Sequence, residues 1–119
     1  MIFEIYNYET LRAAVDKFCV FLSEKQVGQE KIFDARLVLF ELLGNVLKHS
    51  DDGKAELCGA VSGEYVEMRI ITEKTFYLPE NSSLAEVNAE SGRGIFLVDS
   101  VCEKRVYNED GDLIVYIKL

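Results

Sequence analysis

The stretch Leu37–Ser50, LVLFELLGNVLKHS, decides how this chain reads. It is an apolar run with three polar residues set into it at a spacing of four: Glu41, Asn45 and His49. On a helix of 3.6 residues per turn, each step of four turns the side chain by about 40°, so the three form one slowly drifting line. The Leu, Val and Phe residues around them predict a helix buried nearly all round. A carboxylate and an amide on such a surface must be paired, exposed in a cleft, or held for a ligand.

Two readings of Glu41 and Asn45 follow from the spacing. One is a polar line facing solvent on an edge of the helix. The other is a metal and phosphate site. An amide oxygen is a hard neutral ligand suited to Mg²⁺, which keeps several waters and takes phosphate oxygens for the rest. A carboxylate one turn away can orient or deprotonate a hydroxyl beside that metal. Lys48 and His49 end the same run, where cations complement the helix dipole; a functional role is the other reading of His49. Gly44 costs up to about 1 kcal/mol against alanine in mid-helix. Close packing on a strand is the expected reason for it, and close approach of a ligand is the alternative.

Outward from this helix, the elements fall into place. Met1–Tyr6 reads as a short strand, with Ile2, Phe3 and Ile5 apolar. Asn7 and Thr10 are both candidate caps for a first helix carrying the stripe Leu11, Ala14, Val15, Phe18 and Leu22. Gly28 reads as the stop of that helix, and the second helix runs from near Glu30 to about Ser50. Ser50–Gly53 is turn chemistry. Lys54–Val61 and Tyr65–Thr72 read as two strands of a hairpin joined through Ser62-Gly63-Glu64. Glu73–Ser91 holds the only proline, Pro79, and is long for a connection. It reads as a functional loop or lid with one short helical turn near Leu84–Val87. Gly92-Arg93-Gly94 opens a third helix, Ile95–Cys102, and Lys104–Tyr107 and Asp112–Leu119 close the chain as a hairpin. Strands and helices do not strictly alternate. The expected fold is therefore α+β, a two-layer sandwich with helices on one face of a mixed, mainly antiparallel sheet.

A length of 119 residues predicts one domain, residues 1–119, and 49% hydrophobic residues supply a core. The net charge of −8 argues against nucleic acid as a partner, since such binding needs a basic face. Cys19, Cys58 and Cys102 lie far apart in apolar contexts and read as buried reduced thiols. Met1–Asn7 lacks a basic start, and no apolar run approaches membrane-spanning length. A soluble, cytoplasmic protein is expected. With one histidine and no CxxC, neither a Ser/His/Asp nucleophile nor a zinc site has support.

Gly92-x-Gly94 at a helix start is the second chemical feature. Glycines let backbone amides approach an anion, the helix N-terminus adds positive potential, and Arg93 adds a donor fork. A plain turn is the other reading, and no Lys-Ser or Lys-Thr follows to make a P-loop.

Together, Glu41-x-x-x-Asn45-x-x-x-His49 and Ser91-Gly92-Arg93-Gly94-Ile95-Phe96-Leu97-Val98 resemble the N box and glycine box of the GHKL ATPase domain. That domain, the Bergerat or histidine-kinase-like ATPase fold, is shared by DNA gyrase, heat-shock chaperones, histidine kinases and mismatch-repair ATPases. The chain is most similar to the small branch of bacterial anti-sigma-factor serine/threonine kinases, and the likeness spans nearly all of it. The resemblance implies ATP and Mg²⁺ as cofactors. Asn45 would hold the metal, Glu41 would act as general base, and Gly92, Arg93, Gly94 and Ile95 would line the phosphates. His49 and Thr72 belong to the same implied nucleotide-binding set. Implied partners are a sigma factor and a STAS-type anti-anti-sigma protein, the latter phosphorylated on serine; homodimers are common in this branch.

The sequence departs from the family after the hairpin. The family's Asp-x-Gly-x-Gly segment, whose aspartate meets the adenine amino group, is here Ile71-Thr72-Glu73-Lys74-Thr75-Phe76-Tyr77-Leu78-Pro79. Anchored on Pro79, Thr72 stands at the aspartate's place and Lys74 at the first glycine's; a shift of one offers Glu73. A hydroxyl in place of a charged acceptor costs roughly 1–3 kcal/mol, and side chains in place of the glycines would fill the base pocket. Two functions are therefore expected: an ATP-dependent protein serine kinase and anti-sigma factor, or a non-catalytic regulatory module of the same fold that binds a protein through its lid or outer helix face.

Overall fold

A computed structural model describes residues 1–76 and 90–119 of the chain, residues 90–93 by their backbone alone. Among them, five strands and three helices follow the order β1 (Ile2–Ile5), α1 (Tyr8–Glu24), α2 (Gln29–His49), β2 (Ala55–Ser62), β3 (Tyr65–Ile71), α3 (Glu90–Val101), β4 (Lys104–Tyr107) and β5 (Leu113–Lys118). The fold is α+β. The sheet order is β1-β2-β3-β5-β4. Every pairing is antiparallel, so the mixed sheet expected from the sequence is antiparallel throughout the described residues.

Alternation along the strands sets the layers. Ile5, Ala55, Leu57, Val66, Met68, Ile70, Val115 and Ile117 point to one face and share a core with Leu11, Val15, Phe18 and Leu22 of α1 and Val38, Leu39, Leu42 and Leu43 of α2. Ile95 and Val98 bring α3 into the same core. Burying a side chain the size of Phe18 or Leu39 contributes about 1.5–3 kcal/mol.

Local chemistry accounts for most boundaries. Asn7 caps α1: its Oδ1 accepts from Thr10 N at 2.8 Å, and Thr10 Oγ1 accepts from Asn7 N at 3.1 Å. Both candidate caps thus belong to one capping box. Gly28 does not end α1, contrary to expectation. The helix stops at Glu24, Gln26 takes the left-handed turn at φ 63°, and Gly28 is the extended N-cap of α2. Glycine suits an N-cap as well as a C′ position, and the sequence alone does not separate the two. The third helix also begins earlier than expected, at Glu90. Gly92, Arg93 and Gly94 therefore lie inside its opening turns rather than before its start. The expected helical turn at 84–87 lies outside the described residues.

The glycine that packs a helix tightly onto the sheet is Gly59, on β2. A Cβ there would lie 2.8 Å from Cδ1 of Phe18, which is fully buried. Gly44, where such packing was expected, is buried, but a Cβ added to it meets nothing within 4 Å. No described helix is long and apolar enough to cross a membrane.

Candidate functional site

The Glu41–Asn45–His49 line is carried by α2. Glu41 and Asn45 are half-buried, and His49, the last helical residue, is exposed. The drift of the line thus carries its far end into solvent, and His49 is not gathered with the other two.

Glu41 faces α3. Its carboxylate lies directly against Gly94: a Cβ on residue 94 would fall on Glu41 Oε2 and 3.1 Å from its Cδ. The two helices run antiparallel, because at the other end of the contact Asp34 of α2 acts on Cys102, just past α3. Gly94 and Ile95 are buried, and Phe96 and Leu97 are exposed. The structure thus brings the second chemical feature of the sequence onto the first. Among the described residues, neither the Glu41 nor the Asn45 side chain has a hydrogen-bonding or ionic partner. The first four backbone N–H groups of α3, from Glu90 to Arg93, have no acceptor within the helix. This corner therefore offers a carboxylate, an amide oxygen and a positive helix end.

No group of three His, Cys, Asp or Glu side chains among the described residues is placed to hold a metal unaided. A cation at Asn45 would take its remaining oxygens from water and from a ligand, as magnesium does beside phosphates.

The end of β3, across α2, is different. Thr72, just past β3, donates its hydroxyl proton to the Lys74 carbonyl at 2.6 Å. Lys74 reaches Asp51 at 3.3 Å in an exposed pair worth well under 1 kcal/mol. Between Leu42 and Val46 of α2 and Ile70 and Thr72 of the strand end, the cavity is closed by Phe76 and Gly111. It leaves about 10 Å³, room for one water and not for a purine. Phe76 packs against the core, and its carbonyl accepts from Tyr107 Oη at 3.4 Å. Gly111, at φ 84°, is pressed by the Thr75 side chain, whose Cβ would be 3.4 Å from a Cβ there. Sequence reasoning did not foresee that Phe76 closes this cavity. Its position directly after a polar turn was the available signal.

On the far side of Thr72 lies an open groove of about 670 Å³, lined by Glu4, Asp52, Glu56 and Glu73 against Lys54, the one cation among its described lining residues. Glu4 and Glu56 are direct cross-strand neighbours, a pairing that costs stability. Its negative potential disfavours phosphate on that side.

Burial raises the Cys102 thiol from 9.0 to about 12, helped by the Asp99 and Asp34 carboxylates and opposed by Arg105. Cys19 is raised too, mainly by burial. Both are packing residues with little thiolate at neutral pH.

No protein-family model matches this chain, and no curated protein matches it.

Proposed function

We propose that this chain is an ATP-binding regulatory protein with the histidine-kinase-like ATPase (Bergerat) fold, acting as an anti-sigma-factor serine/threonine kinase on an anti-anti-sigma partner. The observation that carries this reading is the meeting of Glu41 with Gly94, with Asn45 one turn further along α2. The meeting of two motifs distant in sequence supports this reading.

Asn45 is the metal-holding residue in this reading, and the backbone at the opening of α3 receives the phosphates. Magnesium-bound ATP supplies the phosphoryl group when bound. Glu41 accepts the proton of the partner's serine hydroxyl, and its contact with Gly94 fixes where that carboxylate stands. Incubation with labelled ATP and a serine-bearing partner protein tests the reading. Transfer that is lost in Glu41→Gln supports it. Equal transfer by wild type and Glu41→Gln contradicts it.

A second reading has its own observation. The closed cavity at Thr72 and Phe76 favours a non-catalytic module that binds its partner without reading a nucleotide base. Stable capture of the partner with no label transferred supports that reading over the first.

A further inference from the structure

We infer that the free edge of β1, with the acidic groove beside it, is a docking surface for an extended cationic segment of a partner protein, added to the sheet as a further strand. Backbone pairing sets which groups that edge offers. Met1 and Gly59 exchange both of their backbone hydrogen bonds, at 2.9 and 3.1 Å. Bonded pairs alternate along an antiparallel ladder, so Phe3–Leu57 and Ile5–Ala55 are bonded pairs too. Ile2 and Glu4 therefore turn their N–H and C=O groups away from β2. β1 ends the sheet, and among the described residues those outward groups have no partner. The free edge stops at Tyr6, whose N–H donates to Thr10 Oγ1 at 3.0 Å. Such an edge is a template for one more strand.

The side chains beside it set the partner's chemistry. Glu4 and Glu56 form a pair without backbone bonds between them, the type that brings side chains closest. Glu4, Glu56 and Glu73 line the groove with no hydrogen-bonding or ionic partner among the described residues. An arginine or lysine opposite Glu4 on an added strand neutralises this like-charge pair, and its long stem reaches across to Glu56. Two residues along β1, on the same face as Glu4, Ile2 is 70% exposed, so the added strand sets an apolar residue there. A second copy of this chain fits less well. It carries a net charge of −8, and its own β1 brings another Glu4 in place of a cation.

Titration of the full chain with the capped peptide Thr-Arg-Thr-Val-Thr-Arg-Thr-Val, and with its counterpart carrying glutamate for arginine, tests this inference. The arginine peptide should bind roughly tenfold more tightly or better, and lose about fivefold in Glu4→Gln and in Glu56→Gln. Glu24→Gln, which removes a carboxylate at the end of α1, should bind as wild type does. Hydrogen exchange at the Ile2 and Glu4 amides should slow when the peptide binds. The two groove variants remove a like-charge contact and should unfold no more easily than wild type, so their lost binding is not a lost fold. Binding of neither peptide, equal binding of both, or the same loss in Glu24→Gln as in Glu4→Gln overturns the inference. So does peptide binding that leaves the exchange unchanged, or protection of those amides by self-association of the chain before any peptide is added.

Discussion

The Glu41 carboxylate of α2 lies on the Cα of Gly94 in α3, in the space that any larger residue's Cβ would fill. This contact joins the two chemical motifs of the chain and makes residue 94 the gauge of where Glu41 stands. Gly94→Ala should displace the carboxylate, which ends a flexible side chain, rather than unfold the protein. Stability should change by less than about 1 kcal/mol, as the clash offsets the helix propensity gained. In Glu41→Ala the same change should stabilise by up to about 1 kcal/mol. A double-mutant cycle by urea unfolding measures the coupling, and its absence would show that the residues do not touch.

Gly44 offers the opposite case. It is buried in mid-helix, yet an added methyl meets nothing within 4 Å. Gly44→Ala should stabilise by about 0.5–1 kcal/mol through helix propensity and a less flexible unfolded chain. A rise in the urea midpoint with unchanged slope is the expected result.

Gly59→Ala should do the reverse. The added Cβ would strike the Phe18 ring, 2.8 Å from Cδ1, and that ring is buried on all sides. Overpacking of this kind costs about 1–3 kcal/mol. Thermal unfolding should show a clear loss, partly restored by Phe18→Leu in the same chain.

Cys102 gives a pH dependence of known sign. Burial holds its thiol near 12 in the folded state against 9.0 as the ordinary value. Above pH 9 the unfolded chain therefore binds fewer protons than the folded one, and stability falls as pH rises towards 12. Cys102→Ala should flatten that part of the curve relative to wild type, read as urea midpoints between pH 8 and 10. Thiol-reactive reagents at pH 8 should label Cys102 much more slowly in folded than in unfolded protein.

The helices were legible because their apolar residues recur at helical spacing, and β1, β2 and β3 because theirs alternate. Asn7 and Thr10 announced the α1 start, since both side chains suit a capping box. Gly28 misled, as its backbone is extended and the left-handed turn fell to Gln26. The insertion of β5 between β3 and β4 was not legible, because strand neighbours depend on packing between distant segments. Glu41 and Gly94 were each visible as unusual residues. Their contact was not, since it depends on how α3 lies across α2. Phe76 was hidden for the same reason: its role exists only once Leu42, Ile70 and Gly111 surround it.

Calorimetric titration of millimolar Mg-ATP into the wild-type chain and into Asn45→Ala probes the corner built by Glu41, Asn45 and Gly94. Asn45 is half-buried, so its replacement should leave the melting temperature nearly unchanged. The expected result is a saturable binding heat with wild type and none with Asn45→Ala. No heat with wild type, or equal affinity for both chains, would contradict the assignment of this corner as a magnesium-phosphate site.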